Sequence, residues 1–142
     1  MREILFRGKT VEKPNEWIEG CNINTQNDMN GKEHIFIGLH YESKFYPLQK
    51  SVEWKEVIPE TVGQYTGFTD INGKKVFEGD IVEVLWKDNV ICVGDIRYDE
   101  ESCRFVIYED YIFPYGFDKT NTFKVIGNKW DNPELLEVQD ER

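Results

Sequence analysis

The chain has 142 residues, of which 39% are hydrophobic and 14% aromatic, and its formal net charge is −10. This composition excludes a wholly disordered polypeptide and predicts a single domain over residues 1–142 with a core of its own. The charge is uneven, since residues 1–59 hold 8 Lys and Arg against 9 Asp and Glu, whereas residues 60–142 hold 9 against 18. An acidic second half repels phosphate backbones and disfavours nucleic-acid binding.

The cysteines and the hydropathy of the chain bear on its location. Cys21, Cys92 and Cys103 form no C-x-x-C pair, and a sparse, odd number of cysteines indicates reduced thiols. We expect Cys92 and Cys103 to be buried or half-buried. The first residues lack the apolar stretch of a signal peptide, and no segment approaches the run of about 18 apolar residues that spans a bilayer. We therefore expect a cytoplasmic protein without membrane association.

Short apolar stretches separated by turn residues follow one another along the first part of the chain. The continuous apolar run Ile4-Leu5-Phe6 predicts a strand covered on both faces. Asn30-Gly31 predicts a hairpin loop that leads into a strand over residues 35–39. Residues 50–58 alternate between charged and apolar side chains, which is typical of a strand with one polar face.

The run of residues 59–82 contains four glycines between short apolar stretches. It predicts a hairpin with a tight turn at Asn72-Gly73, followed by entry into a barrel-like sheet. Further on, Lys87-Asp88-Asn89 predicts a three-residue hairpin loop, and residues 103–108 and 123–127 predict later strands. Asn132-Pro133 predicts the start of one short terminal helical turn.

Strands at spacings near ten residues predict an all-β fold. We expect small coiled antiparallel sheets with an SH3-like barrel core, formed as a meander over residues 79–127, and very little helix beyond the C-terminal turn. Two lobes would share the domain, an N-terminal β lobe of residues 1–59 and a barrel-like lobe of residues 60–138.

Three blocks of the sequence resemble the YopX family of phage and prophage proteins. They are the opening R-E-I-L-F-R-G-K of residues 2–9, the glycine-punctuated run of residues 60–82, and the closing V-I-G-N of residues 125–128 with N-P-E-L-L of residues 132–136. The resemblance implies a mostly β fold with a barrel-like core and a gene carried by bacterial phages or prophages. It brings no established enzyme activity, cofactor or ligand, so no functional residue is carried over. Residues 21–50 and 87–122 match no block and are where a member-specific role would lie.

Candidate catalytic and metal-binding residues are few. Glu60, Glu78 and Asp80 are the carboxylates to consider for acid–base chemistry, but carboxylates at a turn such as residues 78–80 commonly cap backbone amides. His34 and His40 on one strand would face the same side about 20 Å apart, too far to share a metal ion. The sequence therefore predicts no catalytic residue, no metal site and no cofactor.

Two groups of residues are interpreted as structural or as interaction positions. Residues in and around the glycine run organise turns and bends, with a groove for a peptide or nucleotide near residues 61–66 as the alternative. This structural group is Gly63, Gln64, Tyr65, Gly67, Asn72, Gly73, Gly79 and Asp80. Aromatic residues mainly at spacing two are interpreted first as core packing, and a protein-binding patch is the alternative that makes them the candidate interaction surface. These aromatic residues are Tyr108, Tyr111, Phe113, Tyr115 and Phe117.

Three functions compete on this basis. The first is a non-catalytic accessory protein that binds a host or phage protein, favoured by the family resemblance, the acidic second half and the aromatic segment. The second is a small β-barrel associated with nucleic acid, which rests on fold analogy and which the net charge opposes. The third is an enzyme of unknown reaction. Association of the chain with copies of itself, as a homo-oligomer, is compatible with each of the three functions.

Overall fold

A computed structural model describes residues 3–42, 50–109, 112–116 and 122–137. The chain divides into two compact units, Met1–Gln64 and Tyr65–Arg142. Both are built from antiparallel strands, which confirms the all-β class predicted from the sequence. The division falls between Gln64 and Tyr65, whereas the sequence predicted lobes that meet after residue 59. The single-domain expectation stays a prediction.

The first unit contains two antiparallel sheets. Its elements are β1 (Phe6–Lys9), β2 (Trp17–Gly20), β3 (Asn22–Asn27), β4 (Glu33–Glu42), β5 (Lys50–Val57), a 3₁₀ helix (Pro59–Thr61) and the start of β6 (Gly63–Thr69). Strand β1 pairs with β2 and with the first two residues of β6. The second sheet has the order β3-β4-β5.

The alternation of side chains along β4 builds the core of the first unit. Ile35 and Ile37 are buried with Val57 and Ile18, while His34 and Phe36, on the opposite face, are partly exposed. A Cβ atom on Gly20 would lie 2.4 Å from the Gly38 carbonyl oxygen, so the two sheets approach each other backbone to backbone. Each such buried aliphatic side chain contributes roughly 1.5–3 kcal/mol to folding.

The second unit is dominated by one five-stranded sheet. Its elements are the rest of β6, then β7 (Lys75–Phe77), β8 (Asp80–Trp86), β9 (Asn89–Asp99), β10 (Arg104–Glu109), β11 (Ile112–Gly116), β12 (Thr122–Asn128) and α1 (Glu134–Glu137). The sheet has the order β11-β10-β9-β8-β12, and β7 pairs with β6. Its core side chains are Val76, Val82, Val84, Cys92, Ile96, Ile107 and Phe123.

The predicted SH3-like barrel does not close within the described part of the chain. A barrel requires that the first and last strands of a sheet pair with each other. Here β12 returns beside β8, so the sheet keeps two edges, β11 and β12. The meander itself is present, because β8 to β11 pair in sequence order.

Two local predictions were wrong and one is confirmed. Strand β1 begins only at Phe6, and Ile4 is 52% exposed rather than covered. The β8–β9 hairpin has a two-residue loop, because Asn89 pairs with Trp86 and is therefore part of β9. The short terminal helix is α1. Among the described residues no helix has the length and apolar character needed to cross a bilayer.

Candidate functional site

The edge of β5 is the starting point of the candidate site. Within the described residues β5 is the last strand of its sheet. Its C-terminal end is covered, because the Val11 N–H donates to the Glu56 carbonyl oxygen (3.0 Å) and the Ile58 N–H donates to the Lys9 carbonyl oxygen (2.8 Å). Before Glu56, no described residue pairs with this edge.

A turn carries the chain away from β5 just after Val11. The Thr10 hydroxyl donates to the Lys13 carbonyl oxygen (2.9 Å) and accepts from the Lys13 N–H (3.0 Å), and the Glu16 N–H donates to the same carbonyl (2.8 Å). These bonds satisfy the backbone inside the turn and hold it apart from the strand. A groove of about 570 Å³ remains between residues 10–16 and residues 53–56.

The groove is acidic and carries one large aromatic ring. Its walls include four glutamates, Glu12, Glu16, Glu53 and Glu56, and two lysines, Lys13 and Lys55. The Lys55 ammonium lies 3.5 Å from a Glu16 carboxylate oxygen. The Trp54 side chain also lines the groove and is 46% exposed.

Gly38 determines where the Trp54 ring can lie. A Cβ atom at Gly38 would approach the Trp54 Cζ3 atom to 3.1 Å and the Val52 Cγ1 atom to 2.8 Å. The glycine on β4 therefore leaves room for these two side chains of β5 to lie across the sheet surface.

His34 lies between two carboxylates, one of which belongs to the groove residue Glu56. Its Nδ1 atom is 2.5 Å from a Glu56 carboxylate oxygen, and its Nε2 atom is 3.0 Å from an Asp28 oxygen. The hydrogen bond to Glu56, and after it the one to Asp28, raises the pKa of His34. Because both ring nitrogens are engaged, this arrangement suits a structural clasp better than a general base.

The three carboxylates considered for catalysis are placed as follows. Asp80 is buried, and its Oδ2 atom accepts a hydrogen bond from the Phe77 N–H at 2.8 Å, so it supports the bend before β8. Glu78 is half-buried and Glu60 is exposed. Within the described residues, no three His, Cys, Asp or Glu side chains are arranged to hold a metal ion.

The residues of the glycine run occupy turn and pairing positions. Gly63 and Gln64 pair with β1, and Tyr65 pairs with Phe77, with ring centroids 5.6 Å apart. The irregular pairing of β6 with β7 lies between Tyr65 and Thr69. Within this run, positive φ is found at Gly67 (90°), Gly73 (78°) and Gly79 (86°).

Hydroxyl groups in this region bond to the backbone. The Thr61 hydroxyl accepts from the Lys9 N–H at 2.9 Å, and the Thr66 hydroxyl donates to the Val76 carbonyl oxygen at 2.8 Å. The Asn72-Gly73 turn is closed by the Gly73 N–H, which donates to the Asp70 carbonyl oxygen at 3.0 Å. These contacts fit the structural interpretation of the run better than a ligand groove.

The predicted aromatic surface is only partly described. Tyr108 is half-buried on β10, and the Arg97 guanidinium lies 3.8 Å from its ring centroid. Arg97 also binds the buried Asp95 carboxylate through two hydrogen bonds, at 2.7 and 3.3 Å. Phe113 and Tyr115 belong to β11, but the placement of their side chains is not described, and Tyr111 and Phe117 lie outside the described residues.

Sequence reasoning missed the groove and the Asp28–His34–Glu56 contact. A signal for the second existed, since a hairpin centred on Asn30-Gly31 brings residue 28 close to residue 34. The burial prediction for the cysteines was half right. Cys92 is buried, whereas Cys103 lies exposed in the β9–β10 turn, and Cys21 is also exposed.

Comparison with known proteins places the chain in a family. The YopX protein family model matches residues 5–137. The chain belongs to the YopX family. Similarity to the crystal structure of protein EF1440 from Enterococcus faecalis extends over 96% of this chain and 99% of that one, with a TM-score of 0.52 and 24% identity. At that identity the likeness shows the fold alone. Comparison with curated proteins returned no match.

Proposed function

We propose that this YopX-family member is a non-catalytic accessory protein that binds a protein partner. A phage or prophage gene and the cytoplasm of the bacterial host are the setting that fits. The family resemblance supports the gene's origin, and the sparse, odd number of cysteines supports a reducing compartment.

The observation that carries the proposal is the exposed Trp54 ring beside the edge of β5. Tryptophan is enriched at protein interfaces, where it buries a large area at a small cost in conformational entropy. A ring that is 46% exposed next to a groove is available for such a contact. The backbone of an edge strand offers hydrogen bonds that a partner chain can complete.

The proposal is tested by affinity capture with the full chain from a lysate of the bacterial host. Captured proteins are identified by mass spectrometry at low and at high salt. Trp54→Ala removes the groove ring, and Trp86→Ala is the matched control, since Trp86 is another exposed tryptophan, 51% accessible. We expect a specific partner that Trp54→Ala loses and Trp86→Ala keeps. Empty captures for the wild-type chain under both conditions would contradict the proposal.

A further inference from the structure

We infer that the β5 groove binds an extended segment of a partner protein that carries Lys or Arg, and that this segment adds to the sheet as a strand beside β5. The inference rests on the proposed function and names the chemistry of the partner. Three independent features of the groove support it: the direction of the backbone groups of β5, the balance of charge, and the position of the Trp54 ring.

The backbone groups of β5 face the groove at alternate residues. The Glu56 carbonyl oxygen points away from β4, because it accepts the Val11 N–H. Backbone direction in an antiparallel strand repeats every second residue, so the N–H and C=O groups of Trp54 and Val52 point to the same side. Residues 9–11 satisfy the edge at its C-terminal end and then turn away. An incoming strand would continue the pairing where residues 12–16 leave it.

The charge of the groove selects a cationic segment. Four carboxylates face two ammonium groups, and one of the lysines is already paired with Glu16. Glu56 is engaged by His34, which leaves Glu12 and Glu53 as exposed carboxylates on opposite walls. An acidic segment would meet uncompensated repulsion, whereas a basic side chain would be attracted from both walls. The same carboxylates disfavour unselective pairing at this edge.

The Trp54 ring supplies a surface for the basic side chain. Ammonium and guanidinium groups are attracted to the face of an indole, and their aliphatic stems pack on apolar neighbours. Val11 and Val52, 47% and 37% exposed, are the apolar neighbours available here. A Lys or Arg above Trp54 would thus contact the ring, whereas Glu53, on the opposite face of β5, attracts a basic residue at a neighbouring position of the segment.

The test uses the full chain and a capped eight-residue peptide in which pairs of threonines and pairs of lysines alternate, so that both faces of the extended peptide carry lysine. Binding is followed by backbone amide chemical shifts. A peptide with glutamate in place of lysine tests charge, and the lysine peptide with N-methylated backbone amides tests strand pairing. For the lysine peptide we expect chemical-shift changes concentrated at residues 52–56 and 10–12, and these changes should become smaller at high salt. The two control peptides should not produce them.

Variants locate the binding. Trp54→Ala, and separately Glu12→Gln with Glu53→Gln, should each weaken the lysine peptide about three- to tenfold. The matched controls are Trp86→Ala and Glu100→Gln with Glu101→Gln, which remove an exposed ring and two exposed carboxylates elsewhere. The residues changed in these four variants are all exposed, so we expect each variant to fold. Unchanged dispersion of the remaining amide signals checks this.

Several results would overturn the inference. These are equal binding of the glutamate peptide, equal binding of the N-methylated peptide, or shifts confined to residues 65–137. The outcomes also separate this inference from the proposed function. If a cellular partner is captured equally by wild type and by Trp54→Ala, the groove assignment fails and partner binding stands. If the lysine peptide binds the groove but no cellular partner is captured, the groove chemistry stands and the proposed function fails.

Discussion

Asp28 and Asp70 occupy the same position in two loops with the same hydrogen bonds. Each Oδ1 atom accepts from the N–H groups two and four residues later, at 2.8 and 3.0 Å for Asp28 and at 2.9 Å for both bonds of Asp70. The fourth residue of each loop is a glycine, Gly31 and Gly73, with φ of 79° and 78°. Both segments read Asp-x-Asn-Gly-Lys, so five residues suffice to specify the loop.

The second carboxylate oxygen distinguishes the two loops. Asp28 Oδ2 contacts His34 within the same hairpin, whereas Asp70 Oδ2 accepts from the Val125 N–H on β12, 55 residues away, at 3.0 Å. Asp28 is exposed and Asp70 is buried. The same local structure therefore has a solely local role in one place and joins distant strands in the other.

This difference predicts unequal effects of the same substitution. Asp70→Asn keeps one side-chain oxygen for the loop, but the NH₂ group in place of Oδ2 cannot accept a hydrogen bond from the Val125 N–H. We therefore expect a loss of about 1.5–3 kcal/mol in the free energy of unfolding. Asp28→Asn should cost clearly less, because water can replace its exposed contact. Urea denaturation of both variants measures the effect, and equal losses would contradict the assignment.

Asp70 should also make the fold sensitive to acid. Burial opposes ionisation, but hydrogen bonds from Val125, Lys74 and Asn72 outweigh it and lower the pKa of Asp70. A lowered folded pKa stabilises the protein above the unfolded value of about 3.9, and this contribution disappears as the pH falls through the folded pKa. We expect the stability difference between wild type and Asp70→Asn to narrow below about pH 4. A constant difference from pH 3 to pH 6 would exclude this role for the carboxylate.

The His34 clasp predicts the opposite dependence on pH. Glu56 first and Asp28 second raise the pKa of His34, so its contribution is complete below the unfolded value of about 6.5 and is lost as the pH rises through the folded pKa. Wild type should exceed His34→Gln in stability at pH 6 and lose this advantage at alkaline pH. The midpoint of urea unfolding across pH 5.5–9 tests this, together with an NMR titration of the ring.

Gly79 and Gly73 form a matched pair for backbone substitution. A Cβ atom at Gly79 would lie 2.1 Å from the Trp130 Cη2 atom, whereas one at Gly73 meets nothing within 4 Å. Both glycines have positive φ. We expect Gly73→Ala to cost about 1–2 kcal/mol from φ alone, and Gly79→Ala to cost about 1–3 kcal/mol more because the indole must move. Thermal unfolding of the two variants measures the difference. Equal losses of stability would contradict the prediction.

The three thiols should differ in reactivity. Burial, with a smaller effect of Glu109, raises the pKa of Cys92 to about 11, whereas Cys21 and Cys103 are exposed. Since the thiolate is the reactive form, we expect two cysteines to react with a disulfide reagent at pH 8 and the third only after unfolding. Rapid reaction of all three in the folded protein would show that the β8–β9 region opens readily.

Turns and alternation were predictable from short stretches of sequence. Asn30-Gly31 and Asn72-Gly73 lie in turns as expected, because glycine accepts positive φ at little cost. The polar and apolar alternation of β5 matches the strand observed. The β8–β9 loop was placed one residue too long, because a turn with positive φ at Lys87 and Asp88 has no glycine to mark it.

The candidate site was not predictable to the same degree. Its acidic residues come from two segments about 40 positions apart, and neither segment carries a recognisable binding motif. The sequence indicated the aromatic segment 108–117 instead, because the spacing of aromatic residues is visible in a sequence whereas their exposure is not. The alternation of residues 50–58 predicted a strand with one polar face, but the exposure of Trp54 on that strand depends on what the other strands leave uncovered.

The fold class and the turn positions follow from residues close together in the chain, because local backbone preferences and side-chain alternation decide them. The order of the strands in each sheet does not follow from short stretches of sequence. Whether β12 lies beside β8 or closes a barrel, and whether residues 10–16 cover β5 or leave a groove, depends on contacts between distant segments. Many pairings satisfy the same alternation, and packing and backbone hydrogen bonding over the whole fold select one. The open edge with its tryptophan and carboxylates is a product of that selection.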